Sequence, residues 1–452
     1  MKIIFSTLIL LFVVQQSLAN VSPKDTVTGI IDKAGALIKI DEGKKFIAEN
    51  KIREALQSFK DAALKDPNTW KAPFWVAYCH LKLKNFGYAK QYAKEAIKKD
   101  KVEVDPEVYV ILAAACHQIN ELDDAEKAYL KAKELLPKAR QKELEVDHRL
   151  TSVVYAKSQK DVENIATSLA GEVNSGYNDY SAILTDGGKR IYFTSRRANT
   201  TGGQINADDQ EYFEDVYTGI WNEDLKKYDS ISNNVERING LGFETISWIS
   251  NDGLQALVTL NTTATKEKKT TQSSDICEAE FTKQNKWTTP KPIKNKTINS
   301  GFFDGAATMT ADGNTMYFVS DRKGDKRSTD IYMVQKVGNK WGKAVLLNDS
   351  VNSIYRETTP YITPDGRFLF FSSEGHVGMG GLDIFVAENT GSGWTKAVNL
   401  GAQVNSVNDD SHFMLYKELG KATMTKSNVV DKKSSLDIFT IELSKLKLPI
   451  KL

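Results

Sequence analysis

Two kinds of hydrophobic spacing divide the chain. Between Ile38 and Pro137 apolar residues recur three and four positions apart in a background of Ala, Lys, Glu and Leu, which predicts helices. After Asp161 that spacing stops. Short β-rich runs such as Arg190–Ser195 and Thr315–Ser320 alternate with Gly, Asn, Asp and Ser, which predicts strands joined by tight turns. Ahead of both lies Lys2, an apolar run from Ile3 to Val14, and a small-residue end at Ser17-Leu18-Ala19. This is the pattern of a secretory signal peptide over residues 1–19. The run is shorter than the roughly 20 residues a membrane helix needs, and no other stretch is long and apolar enough to span a bilayer. The expectation is an exported, soluble mature chain that spans no membrane.

The helical part repeats. Ala55, Phe59, Ala62 and Pro67 are spaced as Ala125, Tyr129, Ala132 and Pro137 are, and Ala89, Ala93 and Ala96 repeat the first three positions. Small residues at this spacing let two helices cross closely, an aromatic fills the space beside them, and proline stops the second helix. The pattern resembles the tetratricopeptide repeat, with units at 36–69, 70–105 and 106–139 and a capping helix at about 140–157. Residues 20–35 are a linker or a further helix. The middle unit departs from the pattern, with Ala93 in place of an aromatic and no terminal proline. Stacks of this kind present a groove to a partner's peptide or helix; the alternative is that the groove packs against the second domain.

Beyond Asp161 three marks recur five times. The first is Asn174-Ser175, Asn239-Gly240, Asn299-Ser300, Asn352-Ser353 and Asn405-Ser406. The second is Asp186-Gly187, Asp252-Gly253, Asp312-Gly313 and Asp365-Gly366, replaced in the fifth copy by Glu418-Leu419-Gly420. The third is an Asp before an aliphatic residue: Asp215-Val216, Asp275-Ile276, Asp330-Ile331, Asp383-Ile384 and Asp437-Ile438. Four strands per unit, with an Asp-Gly hairpin between the first two, read as a propeller blade. The segment 162–173 resembles 395–404, so it supplies the strand missing from the last unit and closes the ring. The expected fold is α + β multidomain: a tetratricopeptide solenoid at 36–157, a propeller at 160–445 with five blades or alternatively six, and a tail at 446–452.

The units Tyr177–Tyr217, Phe303–Tyr332 and Tyr355–Phe385 are similar to the WD40-like repeat called PD40, found also in the propeller of TolB; Thr363-Pro364-Asp365-Gly366 carries the likeness most strongly. The stretch Gly378-Met379-Gly380-Gly381-Leu382-Asp383 matches the Bacteroidetes version. The order of signal peptide, tetratricopeptide repeats and PD40 propeller resembles the N-terminal two thirds of the Bacteroidetes OmpA-family envelope proteins, one of which serves the type IX secretion system. The resemblance implies a periplasmic protein whose partners are envelope or secretion-system proteins. Those relatives continue into an OmpA-like domain; this sequence stops at Leu452 without one, so no peptidoglycan-binding domain is expected here.

One motif suggests a site. Five residues after each marker Asn stands an acid: Asp179, Glu244, Asp304, Glu357 and Asp410. At equal phase in five blades these would surround one mouth of the central channel, raise one another's pKa values, and bind a divalent cation or a basic partner segment. The other reading makes each an acceptor for backbone N–H groups of its own blade.

Elsewhere the chemistry is sparse. The five histidines form no H-E-x-x-H spacing, and there is no G-x-S-x-G elbow and no P-loop. The pairs Cys79-His80 and Cys116-His117 could suggest zinc, but adjacent residues face different sides of a helix. His376 and His412 are placed in propeller loops. The three cysteines are too few for a disulfide scaffold and read as small buried apolar groups. Sixty basic and 58 acidic side chains give a net charge of +2, which offers no field for nucleic acid. The loops Ala198–Glu214 and Asn261–Ser274 break the repeat spacing. The expected function is a non-enzymatic periplasmic interaction scaffold without a cofactor. The alternatives are a propeller hydrolase acting on glycan or peptide and a TolB-like envelope adaptor.

Overall fold

The computed structural model describes residues 27–100, 103–206, 209–261, 273–323, 329–430 and 433–451. The signal-peptide expectation falls outside them. The chain forms two compact units, divided between Ala115 and Cys116.

Unit 1 begins with helices α1 (Val27–Ala48), α2 (Ile52–Lys65), α3 (Lys71–Lys82) and α4 (Phe86–Lys99), and takes most of α5 (Glu107–Gln118). The repeated alanines do what their size allows. Ala55, Ala62, Ala89, Ala93 and Ala96 are fully buried where helices cross. Phe59 fills the space beside them and stacks on Trp75 with centroids 5.6 Å apart. Helix α1 comes so close that a Cβ on Gly43 would lie 2.5 Å from the Phe59 ring.

Unit 2 holds α6 (Leu122–Leu135), α7 (Lys138–Glu143), α8 (Val146–Ser158) and all the strands. The single capping helix expected at 140–157 is two helices, because Glu145 takes a left-handed φ of 57° and breaks the run. The compact division also falls well before 157–160, and the reason is visible in hydrogen bonds. His117 Nε2 meets the Met379 carbonyl at 2.7 Å, Gln118 donates to the Val407 carbonyl, and His148 Nε2 meets the Glu374 carbonyl at 2.9 Å. The end of the third repeat and its cap are therefore built onto the strands.

Those strands make a five-bladed propeller. β1 (Thr167–Ser168) comes first but is used last. Blade 1 is β2 (Asp179–Thr185), β3 (Arg190–Ser195), β4 (Asp215–Asn222) and β5 (Lys227–Ser232). Blade 2 is β6 (Phe243–Ile249), β7 (Gln255–Asn261), β8 (Asp275–Glu280) and β9 (Lys291–Pro292). Blade 3 is β10 (Asp304–Met309), β11 (Thr315–Ser320) and β12 (Asp330–Val337), with β13 (Lys340–Trp341) and β14 (Val345–Leu346) both on β12. Blade 4 is β15 (Glu357–Ile362), β16 (Phe368–Ser373), β17 (Asp383–Glu388) and β18 (Val398–Asn399). Blade 5 is β19 (Asp410–Tyr416), β20 (Lys421–Val430) and β21 (Lys433–Glu442), completed by β1, which pairs antiparallel with β21 through Thr167–Thr440 and Ser168–Phe439. The innermost strands neighbour one another in the closed cycle β2, β6, β10, β15, β19. Second strands are buried on both faces, as β16 shows with all six residues buried, because each lies between two other blades.

The sequence marks are the joints of this ring. Each marker Asn clamps the aliphatic residue of the third mark, accepting from its N–H and donating to its carbonyl: Asn174 on Ile438, Asn239 on Val216, Asn299 on Ile276, Asn352 on Ile331 and Asn405 on Ile384. One threonine hydroxyl per junction takes a backbone N–H from the next blade: Thr194 from Ile246, Thr259 from Ala306, Thr308 from Ile362, Thr359 from His412 and Thr425 from Ser181. A bulge in each innermost strand breaks its pairing with the second strand. At four of them Ser181, Ala306, Thr359 and His412 take positive φ. Asn352→Ala would strip partners from the buried Ile331 N–H and carbonyl and from the Leu347 carbonyl. The expected cost is about 2–3 kcal/mol in urea unfolding.

Candidate functional site

The five acids stand where their phase placed them, at the start of the innermost strands, but they do not converge. All five are at most 1 % exposed. Among the described residues, no three of their carboxylates offer oxygens within 4.8 Å of one another. Each is held by its own blade. Ser175 donates its N–H and hydroxyl to Asp179 Oδ2, both at 2.6 Å; Ser300 does the same to Asp304, Ser406 to Asp410 and Ser353 to Glu357. The backbone N–H groups of Gly240 and Gly242 serve Glu244. A short polar side chain beside a turn finds the turn's orphan N–H groups before it reaches a neighbouring blade. Each of the five acids thus gives at least one oxygen to backbone N–H groups of its own turn.

Spacing alone did not show what faces the acids on their other side. Arg197 donates to Asp179 Oδ1 at 3.1 Å and Arg322 pairs with Asp304, while Lys426 lies 3.6 Å from Asp410. The two arginines also bind carbonyls of the marker turn, Val173 and Ile298, and lie over the rings of Phe193 and Phe318. Their signal was present as an arginine 18 residues after the acid in blades 1 and 3. The two glutamates have no such partner among the described residues. Burial, opposed by hydrogen bonds and aided by neighbouring acids, pushes Glu244 up to about 8 and Glu357 up to about 7. Burial lifts Asp410 to about 6 despite Lys426.

A second set of acids stands beside the first. The backbone N–H of Glu244, Asp304, Glu357 and Asp410 donates to the carbonyl just ahead of Asp215, Asp275, Asp330 and Asp383 respectively. Each of these junctions thus sets two carboxylates side by side. The third-mark acids cap their own loops: Asp215 Oδ2 accepts from the Thr201 N–H and hydroxyl and from Asn233, and Asp383 Oδ2 from the N–H groups of Met379 and Gly380.

The channel itself is lined by the residues after the acids, among them Ser181, Thr245, Ala306, Thr359, His412 and Met414. His412 sits on β19 at its bulge rather than in a loop. Burial pushes its imidazole down to about 4, so it is neutral, with Nδ1 2.9 Å from the Ser411 hydroxyl. His376 is spent on the Val351 carbonyl. His80 stacks against Tyr88 and Tyr92, and His117 Nε2 is held by the Met379 carbonyl. Cys79, Cys116 and Cys277 are buried in the core, and none of the three is in a disulfide. A trio of Cys116, Glu121 and Asp124 does lie within ligand reach.

Unit 1 offers a different surface. Lys71, Trp75, Tyr78 and Lys82 follow one another along one side of α3 at helical spacing. Lys44 of α1 lies over the Trp75 ring at 5.5 Å and Lys82 over Tyr78 at 5.5 Å. The two rings are half-buried and the three lysines exposed.

No family model and no curated protein matches the chain. Among solved structures it is similar to the first TPR domain of human RPAP3, at 24 % identity and a TM-score of 0.26 over 28 % of this chain and 95 % of that one. It is similar to a TolB from Agrobacterium tumefaciens, at 14 % identity and a TM-score of 0.35 over 59 % of this chain and 84 % of that one. A glycoside hydrolase matches at 11 % identity and a TM-score of 0.41 over 70 % of this chain and 99 % of that one.

Proposed function

We propose that the chain is a non-enzymatic protein–protein interaction scaffold, exported to the periplasm, whose partners are cell-envelope or secretion-system proteins. The observation that carries this reading is the lysine and aromatic stripe on α3. Two half-buried rings flanked by Lys44, Lys71 and Lys82 suit an acidic partner segment with an apolar anchor. Between residues 70 and 100 there are seven lysines against two acids, which adds electrostatic steering toward such a segment.

The test is capture from the native envelope by the mature protein, followed by affinity measurement on the retained partner. Lys71→Glu with Lys82→Glu changes only exposed charges, so the melting curve should stay in place. The partner should bind about tenfold more weakly, with the loss reduced at high salt. Equal capture by both proteins, or turnover of a glycan or peptide panel, would overturn the proposal.

A further inference from the structure

Among the described residues, the junction between blades 1 and 2 has three buried carboxylate oxygens without donors and no cation on its innermost acid; the blade 4–5 junction also leaves Asp383 Oδ1 and Asp410 Oδ1 without donors but sets Lys426 3.6 Å from Asp410. Elsewhere the innermost acid meets Arg197, Arg322 or Lys426, or, at Glu357, both oxygens take donors from Ser353 and Ser373. At Glu244 one oxygen takes backbone N–H groups, and the other, Oε2, is buried with no donor among the described residues. The Glu244 N–H donates to the Glu214 carbonyl at 3.1 Å, which brings Glu214 and Asp215 beside it. Asp215 Oδ1 is likewise buried and without a donor, and so is Glu214 Oε2. Asp215 and Glu244 are 0 % and 1 % exposed.

The nearby cation does not make up the difference. Arg196 is spread over Asp209 at 2.7 Å, Glu211 at 3.0 Å and Glu214 at 3.8 Å, and its Nε donates to the Tyr212 carbonyl. One guanidinium thus faces three carboxylates before Asp215 and Glu244 are counted. Buried anionic oxygens without donor or counter-ion are strongly unfavourable, and a bound cation is one way such a site is completed. The free atoms are all carboxylate oxygens, which select a hard ion over zinc or copper. Two glutamates and an aspartate on separate strands and a loop form an irregular cage, which suits calcium better than the strict octahedron of magnesium.

We infer that Glu214, Asp215 and Glu244 bind a calcium ion at this junction, a tie between the first two blades in place of the cationic side chain that meets the innermost acid in three of the others. The three free oxygens do not all lie within 4.8 Å of one another, so at most two carboxylates touch the ion directly and the third reaches it through water.

The experiment uses the full mature chain, stripped with a chelator and held near neutral pH. Calcium at about 10 mM should raise the propeller melting temperature by roughly 3 °C or more, and calorimetry should give one site with Kd of about 0.1–1 mM. Glu244→Gln and Asp215→Asn should each abolish the response while melting close to the stripped wild type, since each keeps the acceptor oxygen that its own loop uses. Glu357→Gln, at the other glutamate junction, should keep the response. No shift with calcium, a shift that survives both junction variants, or stabilisation by protons alone would overturn the assignment.

Discussion

Arg322→Ala is expected to destabilise the propeller by about 3–5 kcal/mol, because it strands a buried charge rather than merely deleting a contact. Asp304 is 0 % exposed and Arg322 is its only cation among the described ion pairs. The same guanidinium serves the Thr297 and Ile298 carbonyls and lies 5.2 and 4.9 Å from the Phe318 and Tyr332 rings. Asp304→Asn in the alanine background should recover part of the loss, since it removes the stranded charge and keeps acceptors for Ser300. Urea unfolding followed by tryptophan fluorescence measures both. A loss under about 1 kcal/mol, typical of an exposed ion pair, would show that Asp304 does not depend on this arginine.

The second large effect is on pH. Glu244, Glu357 and Asp410 are lifted to about 8, 7 and 6 from ordinary values of 4.5, 4.5 and 3.8, first by burial. The folded chain therefore holds protons that the unfolded chain has released. Stability should rise as pH falls from about 8 to about 6.5; below that the unfolded chain also protonates His80, His117 and His412, which burial holds down to about 4 in the folded chain, and this opposes any further gain. Each unit of lift corresponds to about 1.4 kcal/mol, so over this range the three groups make a change of about 2–3 kcal/mol. Below that range the turn acids work the other way. The Ser250 and Thr310 hydroxyls hold Asp252 and Asp312 below the usual carboxylate range, and that stabilisation disappears as they protonate. In metal-free buffer the melting temperature should therefore peak near pH 6. A flat profile from pH 8 to 6 would contradict the buried, unneutralised state of the two glutamates.

The fold was legible because its joints are made by side chains that cannot be exchanged. An Asn that must accept from one backbone N–H and donate to a carbonyl has few substitutes, so Asn299 and Asn352 repeat with their partners Ile276 and Ile331. The alanines of the helical repeat recur for a steric reason of the same force. The direction of a side chain is another matter. Equal phase placed Asp179 and Asp304 correctly, but phase does not say whether a carboxylate turns to the channel or to the serine four residues back. That depends on local hydrogen bonding, as the Ser175 and Ser300 contacts show. The break at Glu145 was hidden because a single left-handed residue barely disturbs helical spacing. The α3 stripe was hidden because Trp75 and Tyr78 satisfy the core pattern and the surface pattern at once.

The strand β1 has a consequence for the order of events in folding. Its partner on β21 lies near Ile438, whose carbonyl takes a bond from Asn174 across 264 positions of sequence. Nothing local can form that pairing, so the fifth blade waits until the other four have drawn the two segments together. During that wait the edge of β21 is an unpaired template, open to the 162–173 segment of a second molecule. Refolding should therefore show a late phase that depends on chain concentration, in which closed rings compete with dimers that have exchanged their first strand.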